Sequence, residues 1–139
     1  MSQTHPQPVK VIMDSNALFT PLELKIDVFE ELRRLLNRNV VCILLSPVKA
    51  ELELLANKES SNLRRQANFA LKLAEKCRYV AVEVSDKFTT DDAIVKVAKD
   101  WNSPVFTNDR QLRKRLRDIS LPVIYVRQKS RLEIDGLIS

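Results

Sequence analysis

Short, continuously apolar runs recur along this chain, each followed by a stretch with helical spacing. Val9–Met13 (VKVIM) and Val40–Leu45 (VVCILL) are rich in β-branched residues, too short for stable helices and without the alternation of a half-wet strand. Strands buried on both faces read this way, and they belong to parallel sheets covered by helices. Tyr79–Val84, Pro104–Thr107 and Leu121–Val126 complete the expected strands. A helix is expected after Pro21, with Leu24, Val28, Phe29, Leu32, Leu35 and Leu36 on one face. Ser46-Pro47 opens another in N-cap-then-proline order, Ser60 or Ser61 caps a third, and Thr89 or Thr90 caps a fourth. A basic helix runs from near Arg110 to Ile119. With right-handed crossovers, this order specifies an α/β fold: a three-layer α/β/α domain around a central parallel sheet of about five strands. Residues 1–8, polar with two prolines, are expected to be a disordered tail, and residues 9–139 one domain whose last dozen residues carry no clear pattern.

Composition removes whole classes of chemistry. The only glycine is Gly136, which leaves no Gly-rich dinucleotide or phosphate loop. The only histidine is His5, in the tail, so neither a two-histidine zinc site nor a serine–histidine triad fits. Cys42 and Cys77 are too few for a zinc ribbon or a disulfide framework; they read as buried thiols in a reducing, cytoplasmic setting. Val40–Leu45 is the longest apolar stretch, far short of the ~20 residues a membrane helix needs, and no membrane association is expected. A net charge of +5 favours a polyanionic partner. Chemistry run by carboxylates survives, or binding without chemistry.

In an open parallel sheet, ligands bind beyond the carboxyl ends of the strands. Asp14 directly follows the first strand, and Asp109 follows the fourth in Thr107-Asn108-Asp109-Arg110. Glu51 lies about one turn into the helix after the second strand, and Asp91 and Asp92 open the helix after the third. Taken singly, each acid has an ordinary structural role. Asp91 and Asp92 suit a helix N-terminus, Asp109 suits an N-cap, and Glu51, like Glu53, suits a solvated helix face. Together, four strand exits deliver acids to one rim, which is unfavourable unless a cation sits there. Carboxylates without histidine or cysteine suit hard ions such as Mg²⁺ or Mn²⁺. Such ions, paired about 3.5–4 Å apart, serve phosphodiester hydrolysis by activated water without a side-chain nucleophile. Ser15, Asn16, Thr107 and Asn108 flank the acids, either to orient them by hydrogen bonding or simply as turn and cap residues.

Arg110, Arg113, Lys114, Arg115 and Arg117 put five positive charges within eight residues. Arg110, Arg113, Lys114 and Arg117 share a face, while Leu112, Leu116 and Ile119 point to the core. Such a run is commonly only a solvated face. Its start beside Asp109 gives it a second reading, as a grip on a phosphate backbone. Phe29, Phe69 and Phe106 are expected in the core.

Asp14, then Ser46–Leu52 (SPVKAEL), Thr90–Val95 (TDDAIV) and Val105–Leu112 (VFTNDRQL) together resemble the PIN-domain nucleases, in family order and over roughly Val9 to Val126. Thr90–Val126 is the most specific part. It is similar to the PIN branch that processes the small-subunit ribosomal RNA precursor in eukaryotes, and to its archaeal relatives. The resemblance implies a PIN-like domain and a Mg²⁺- or Mn²⁺-dependent endoribonuclease. Its four acidic positions carry over to Asp14, Glu51, Asp92 and Asp109 as catalytic and metal-holding residues. Asp92 is preferred to Asp91 because the family's acid directly precedes an apolar pair, here Ala93-Ile94; Asp91 then becomes a supporting neighbour. The expected partner is RNA, most simply a ribosomal RNA precursor, and family members often form homodimers. Two rivals remain: the ribonuclease of a toxin–antitoxin pair, and a non-catalytic RNA-binding ribosome-assembly protein that keeps the acids for stability. A phosphatase or response-regulator-like domain would want a lysine at a late strand end, which Pro122–Val126 does not supply.

Overall fold

Five parallel strands and one antiparallel strand form a single sheet. In the computed structural model, which describes residues 7–58 and 60–138, these are β1 (Val9–Met13), β2 (Val40–Leu45), β3 (Arg78–Val80), β4 (Val105–Phe106), β5 (Val123–Arg127) and β6 (Arg131–Asp135), in the spatial order β3-β2-β1-β4-β5-β6. Residues 1–6 of the expected tail lie outside that description. Val11, Ile12 and Met13 of β1, and Ile43 and Leu45 of β2, are fully buried, as strands sandwiched between helices must be. The sixth strand, RLEID, carries no buried-strand pattern in the sequence. It pairs antiparallel with β5, Val123 opposite Asp135 and Arg127 opposite Arg131, and closes one sheet edge with charged residues.

The helices differ from expectation in instructive ways. The segment after β1 is not one helix. A 3₁₀ turn (Ser15–Phe19) leads into α1 (Thr20–Leu24), which ends at Lys25 with φ 56°, and α2 (Val28–Leu36) starts afresh. Asp27 restarts it, accepting hydrogen bonds from the Phe29 and Glu30 amides at 3.1 and 3.2 Å. Ser46 is not the N-cap of α3 (Ser46–Ala56) but its first residue. Its hydroxyl instead ties down the loop after β3, donating to the Val82 carbonyl and accepting from the Val82 amide, both at 2.9 Å. Ser60 caps α4 (Ser61–Ala74), and Thr89 caps α5 (Thr90–Trp101). Phe69 and Ile119, expected inside, are 38% and 43% exposed, whereas Phe106 is fully buried.

This order places the topological switch between β1 and β4, because the chain moves outward from β1 on one side and returns on the other. Asp14 leaves β1 there, with its amide donating to the Phe106 carbonyl at 3.0 Å. Thr107 leaves β4 beside it, with its amide donating to the Ile124 carbonyl at 3.0 Å.

Candidate active site

Asp14 is the centre of the site. It is 6% exposed and caps the 3₁₀ turn, its Oδ1 accepting from the Ser15 amide at 2.8 Å. Its Oδ2 accepts from the Thr107 hydroxyl at 2.6 Å. Burial pushes the Asp14 carboxyl above its ordinary range; the bonds from Thr107 and Ser15 oppose that, and the nearby charges of Glu51 and Asp109 add to it. The ionised form is therefore held at a cost, in a place where a cation would relieve it.

The flanking hydroxyls and amides knit the neighbouring exits to this centre. Ser15 Oγ donates to Glu51 Oε2 at 3.1 Å, aiming the α3 carboxylate at the β1 exit. Thr107 Oγ1 accepts from the Asp109 amide at 3.1 Å while donating to Asp14, so one hydroxyl sets two acids. Asp109 Oδ1 caps α6 (Arg110–Asp118), accepting from the Gln111 and Leu112 amides at 2.8 and 3.1 Å. Asn16 Oδ1 accepts from the Asn108 amide at 3.0 Å, and Asn108 Oδ1 accepts from the Val126 amide at 2.8 Å. Ser15, Asn16, Thr107 and Asn108 thus lock the loops that carry the acids.

The helix after β3 departs from expectation. Asp92 sits at the third position of α5 and completes a capping box: its Oδ2 accepts from the Thr89 amide at 3.0 Å, and Thr89 Oγ1 accepts from the Asp92 amide at 3.2 Å. Arg115 Nη2 donates to its other oxygen at 2.9 Å. These bonds, the Thr89 amide first and then Arg115, hold the Asp92 carboxyl below its ordinary range. Both of its oxygens are thus engaged, one by Thr89 and one by Arg115. Asp91 is the acid that feels the site. Partial burial and then the charges of Asp14 and Asp109 raise its carboxyl, and it accepts no hydrogen bond from the described residues.

The four exits therefore put Asp14, Glu51, Asp91 and Asp109 around one rim. The donor set is all oxygen, and the mutual repulsion recorded at Asp14 and Asp91 fits a hard divalent cation in charge and in chemistry. Among the described residues, no three of these acids, nor any other three metal-binding side chains, stand close enough together to hold a metal ion as they are placed.

The basic helix divides in two. Arg113 Nη2 reaches Asp135 Oδ2 at 3.1 Å, and Arg117 Nε reaches Asp135 Oδ1 at 3.3 Å, fastening α6 to β6. Lys114 pairs with Asp118 at 2.9 Å along the exposed helix. Arg113, Lys114 and Arg117, expected as RNA-binding residues, thus each have an internal partner. Arg110 is exposed and has none among the described residues.

The family model described as "PIN like domain" matches residues 11–129. The chain is 34% identical over 130 residues to "Ribonuclease VapC4" of Methanocaldococcus jannaschii, spanning 93% of this chain and 98% of that protein. It is 33% identical over 122 residues to "rRNA-processing protein fcf1" of Schizosaccharomyces pombe, spanning 86% of this chain and 59% of that protein. Among solved structures it superposes on the PIN domain endonuclease Utp24 with a TM-score of 0.74 at 30% identity, covering 95% of each chain.

Proposed function

The chain belongs to the PIN-like domain family, and from that premise we propose that it is a metal-dependent endoribonuclease that cuts a ribosomal RNA precursor. One observation carries the chemistry: a buried aspartate at the topological switch, held by hydroxyl and amide donors and surrounded by three further acids from separate strand exits. Asp14, Glu51, Asp91 and Asp109 would hold Mg²⁺ or Mn²⁺. When bound, such a cation supplies Lewis-acid activation of water and neutralises charge developing at the phosphoryl group. The protein's own contribution is orientation. Thr107 and Ser15 fix the rotamer of Asp14, Ser15 turns Glu51 inward, and the α6 cap keeps Asp109 from swinging out. Asp92 keeps the start of α5 in register and so places Asp91.

The 33% identity to the rRNA-processing protein fcf1, over 86% of this chain, supports a ribosomal substrate. A second reading keeps the chemistry and changes the RNA: the ribonuclease of a toxin–antitoxin pair. The match to nearly the whole of Ribonuclease VapC4 is the observation on that side. The two free thiols suit a reducing, cytoplasmic setting under either reading. Among the described residues no helix is long and apolar enough to cross a membrane.

The deciding experiment incubates the purified protein with precursor ribosomal RNA and with total cellular RNA, in Mn²⁺, in Mg²⁺ and in EDTA. Discrete metal-dependent cuts that vanish in Asp14→Asn and Asp91→Asn are expected. Cleavage retained in both variants, or in EDTA, overturns the assignment. Growth arrest on expression together with cleavage of mature RNAs moves the substrate to the second reading.

A further inference from the structure

The β5–β6 hairpin turns over Arg127–Ser130, closed by the Ser130 amide donating to the Arg127 carbonyl at 3.1 Å. Both central residues take positive φ, Gln128 at 54° and Lys129 at 55°. Turns of this mirror-image kind favour Asn-Gly, because a side chain resists the left-handed region. The chain uses neither residue here. Strain kept where glycine would relieve it marks a place where side chains do something.

That tip stands beside the acid rim. Asn108, the neighbour of Asp109, latches it by accepting from the Val126 amide. Between the tip and the start of α6 lies a cleft of about 230 Å³ whose lining includes Thr107, Arg110, Arg113, Tyr125, Arg127 and Gln128, and no acid. Arg113 is fixed within it, its guanidinium 3.6 Å above the Tyr125 ring and paired with Asp135. Arg127 is fixed by Glu133 at 3.0 Å. Arg110 and Gln128 are exposed and make no hydrogen bond or ion pair with the described residues, so their donors are free for a ligand.

We infer that this cleft is the subsite for the nucleotide flanking the cut, with Arg110 on its backbone phosphodiester and Gln128 hydrogen-bonding its sugar or base. Guanidinium groups bind phosphate with directed donors, and an amide reads the edges of an unstacked base or a 2′-hydroxyl. The cleft shares Thr107 with the acid rim, so a strand seated there continues past Asp14. This inference rests on the endoribonuclease reading and names the wall over which the RNA runs.

The test uses the full chain, Mn²⁺ and a short fluorescein-labelled single-stranded RNA. Arg110→Ala should raise KM about tenfold with kcat within about twofold, since it removes substrate binding and leaves the acids in place. In an Asp14→Asn background, where RNA stays uncut, Arg110→Ala should flatten the log–log salt dependence of binding by about 0.7, one single-strand phosphate contact. Gln128→Gly should also raise KM, yet raise the thermal midpoint, because glycine relaxes the turn. A merely structural Gln128 would not couple lost affinity to gained stability. Unchanged KM in both variants overturns the subsite while the nuclease reading stands. Failure of the wild-type protein to cleave any RNA in Mn²⁺ removes that reading and the subsite with it.

Discussion

Thr107 and Asp14, 93 residues apart in the chain, share a 2.6 Å hydrogen bond at the point where the sheet changes direction. The same hydroxyl accepts from the Asp109 amide, so it couples two acids from two strands. Thr107→Val keeps the shape and removes the donor. It should weaken Mn²⁺ affinity about 10–100-fold, as loss of a ligand-orienting partner does. Thr107→Ser should restore it. Calorimetric Mn²⁺ titration of the three proteins checks this, and equal affinities would mean the bond is only a loop tie.

Asp14 should be a destabilising residue in the metal-free protein. Its folded carboxyl titrates above the ordinary value of 3.8, chiefly through burial. Below that value the group is protonated folded and unfolded alike, and no penalty arises. As pH rises through the raised folded value, stability is lost. Asp14→Asn in EDTA should therefore melt higher than the wild type at neutral pH, with the gap closing near pH 3.8 and below. Adding Mn²⁺ should raise the wild-type midpoint and leave the variant's unchanged. Melting curves from acid to neutral pH, with and without the ion, read all of these differences.

How far the sequence carried this picture depends on what each segment's burial makes visible. β1 and β2 are sandwiched by helices, so their apolar runs were plain, and Asp14 fell at a strand exit because the run simply stopped. β3, expected over Tyr79–Val84, spans only Arg78–Val80, an edge strand with Arg78 and Tyr79 exposed; β6 (Arg131–Asp135) is charged and lacks the period of a buried strand. Missing β6 hid Asp135, and with it the reason Arg113 and Arg117 are fastened rather than free. The choice between Asp91 and Asp92 is different in kind. Thr89-Thr90-Asp91-Asp92 has the spacing of a capping box, which would have committed Asp92 to the helix end and released Asp91 to the rim. The apolar pair after Asp92 points the other way, and adjacency in sequence does not tell which carboxylate turns inward.

Gly136 is the one glycine, and its place explains why it is there. Its φ is 100°, and a Cβ would meet the Arg117 guanidinium and stand 3.1 Å from Pro122 Cα. Gly136→Ala should therefore displace Arg117 from Asp135 and strain the backbone together, costing about 1–3 kcal/mol. Urea denaturation measures this. Since the residue lies outside the acid rim, kcat at a temperature where the variant is folded should stay within about twofold of wild type.

Asp91 and Asp92 offer the sharpest contrast, because they are neighbours with opposite environments. Both oxygens of Asp92 are engaged, by Thr89 and by Arg115, whereas the Asp91 carboxylate faces the charges of Asp14 and Asp109 and accepts no hydrogen bond from the described residues. Asp91→Asn should leave the fold intact or stabilise it slightly in EDTA, since it removes a repelled charge. Cleavage should fall by about 100-fold or more, the order of losses seen when a group aimed at the reacting centre is removed. Asp92→Asn keeps a capping acceptor but loses the charge that Arg115 meets; Asp92→Ala removes both. The alanine variant should melt lower than the wild type, as loss of a helix cap does, while kcat stays within about tenfold of wild type. Parallel melting curves and single-turnover cleavage rates separate the two residues. Abolished cleavage in Asp92→Asn with full activity in Asp91→Asn would return the catalytic role to Asp92 and require the capping box to open during catalysis.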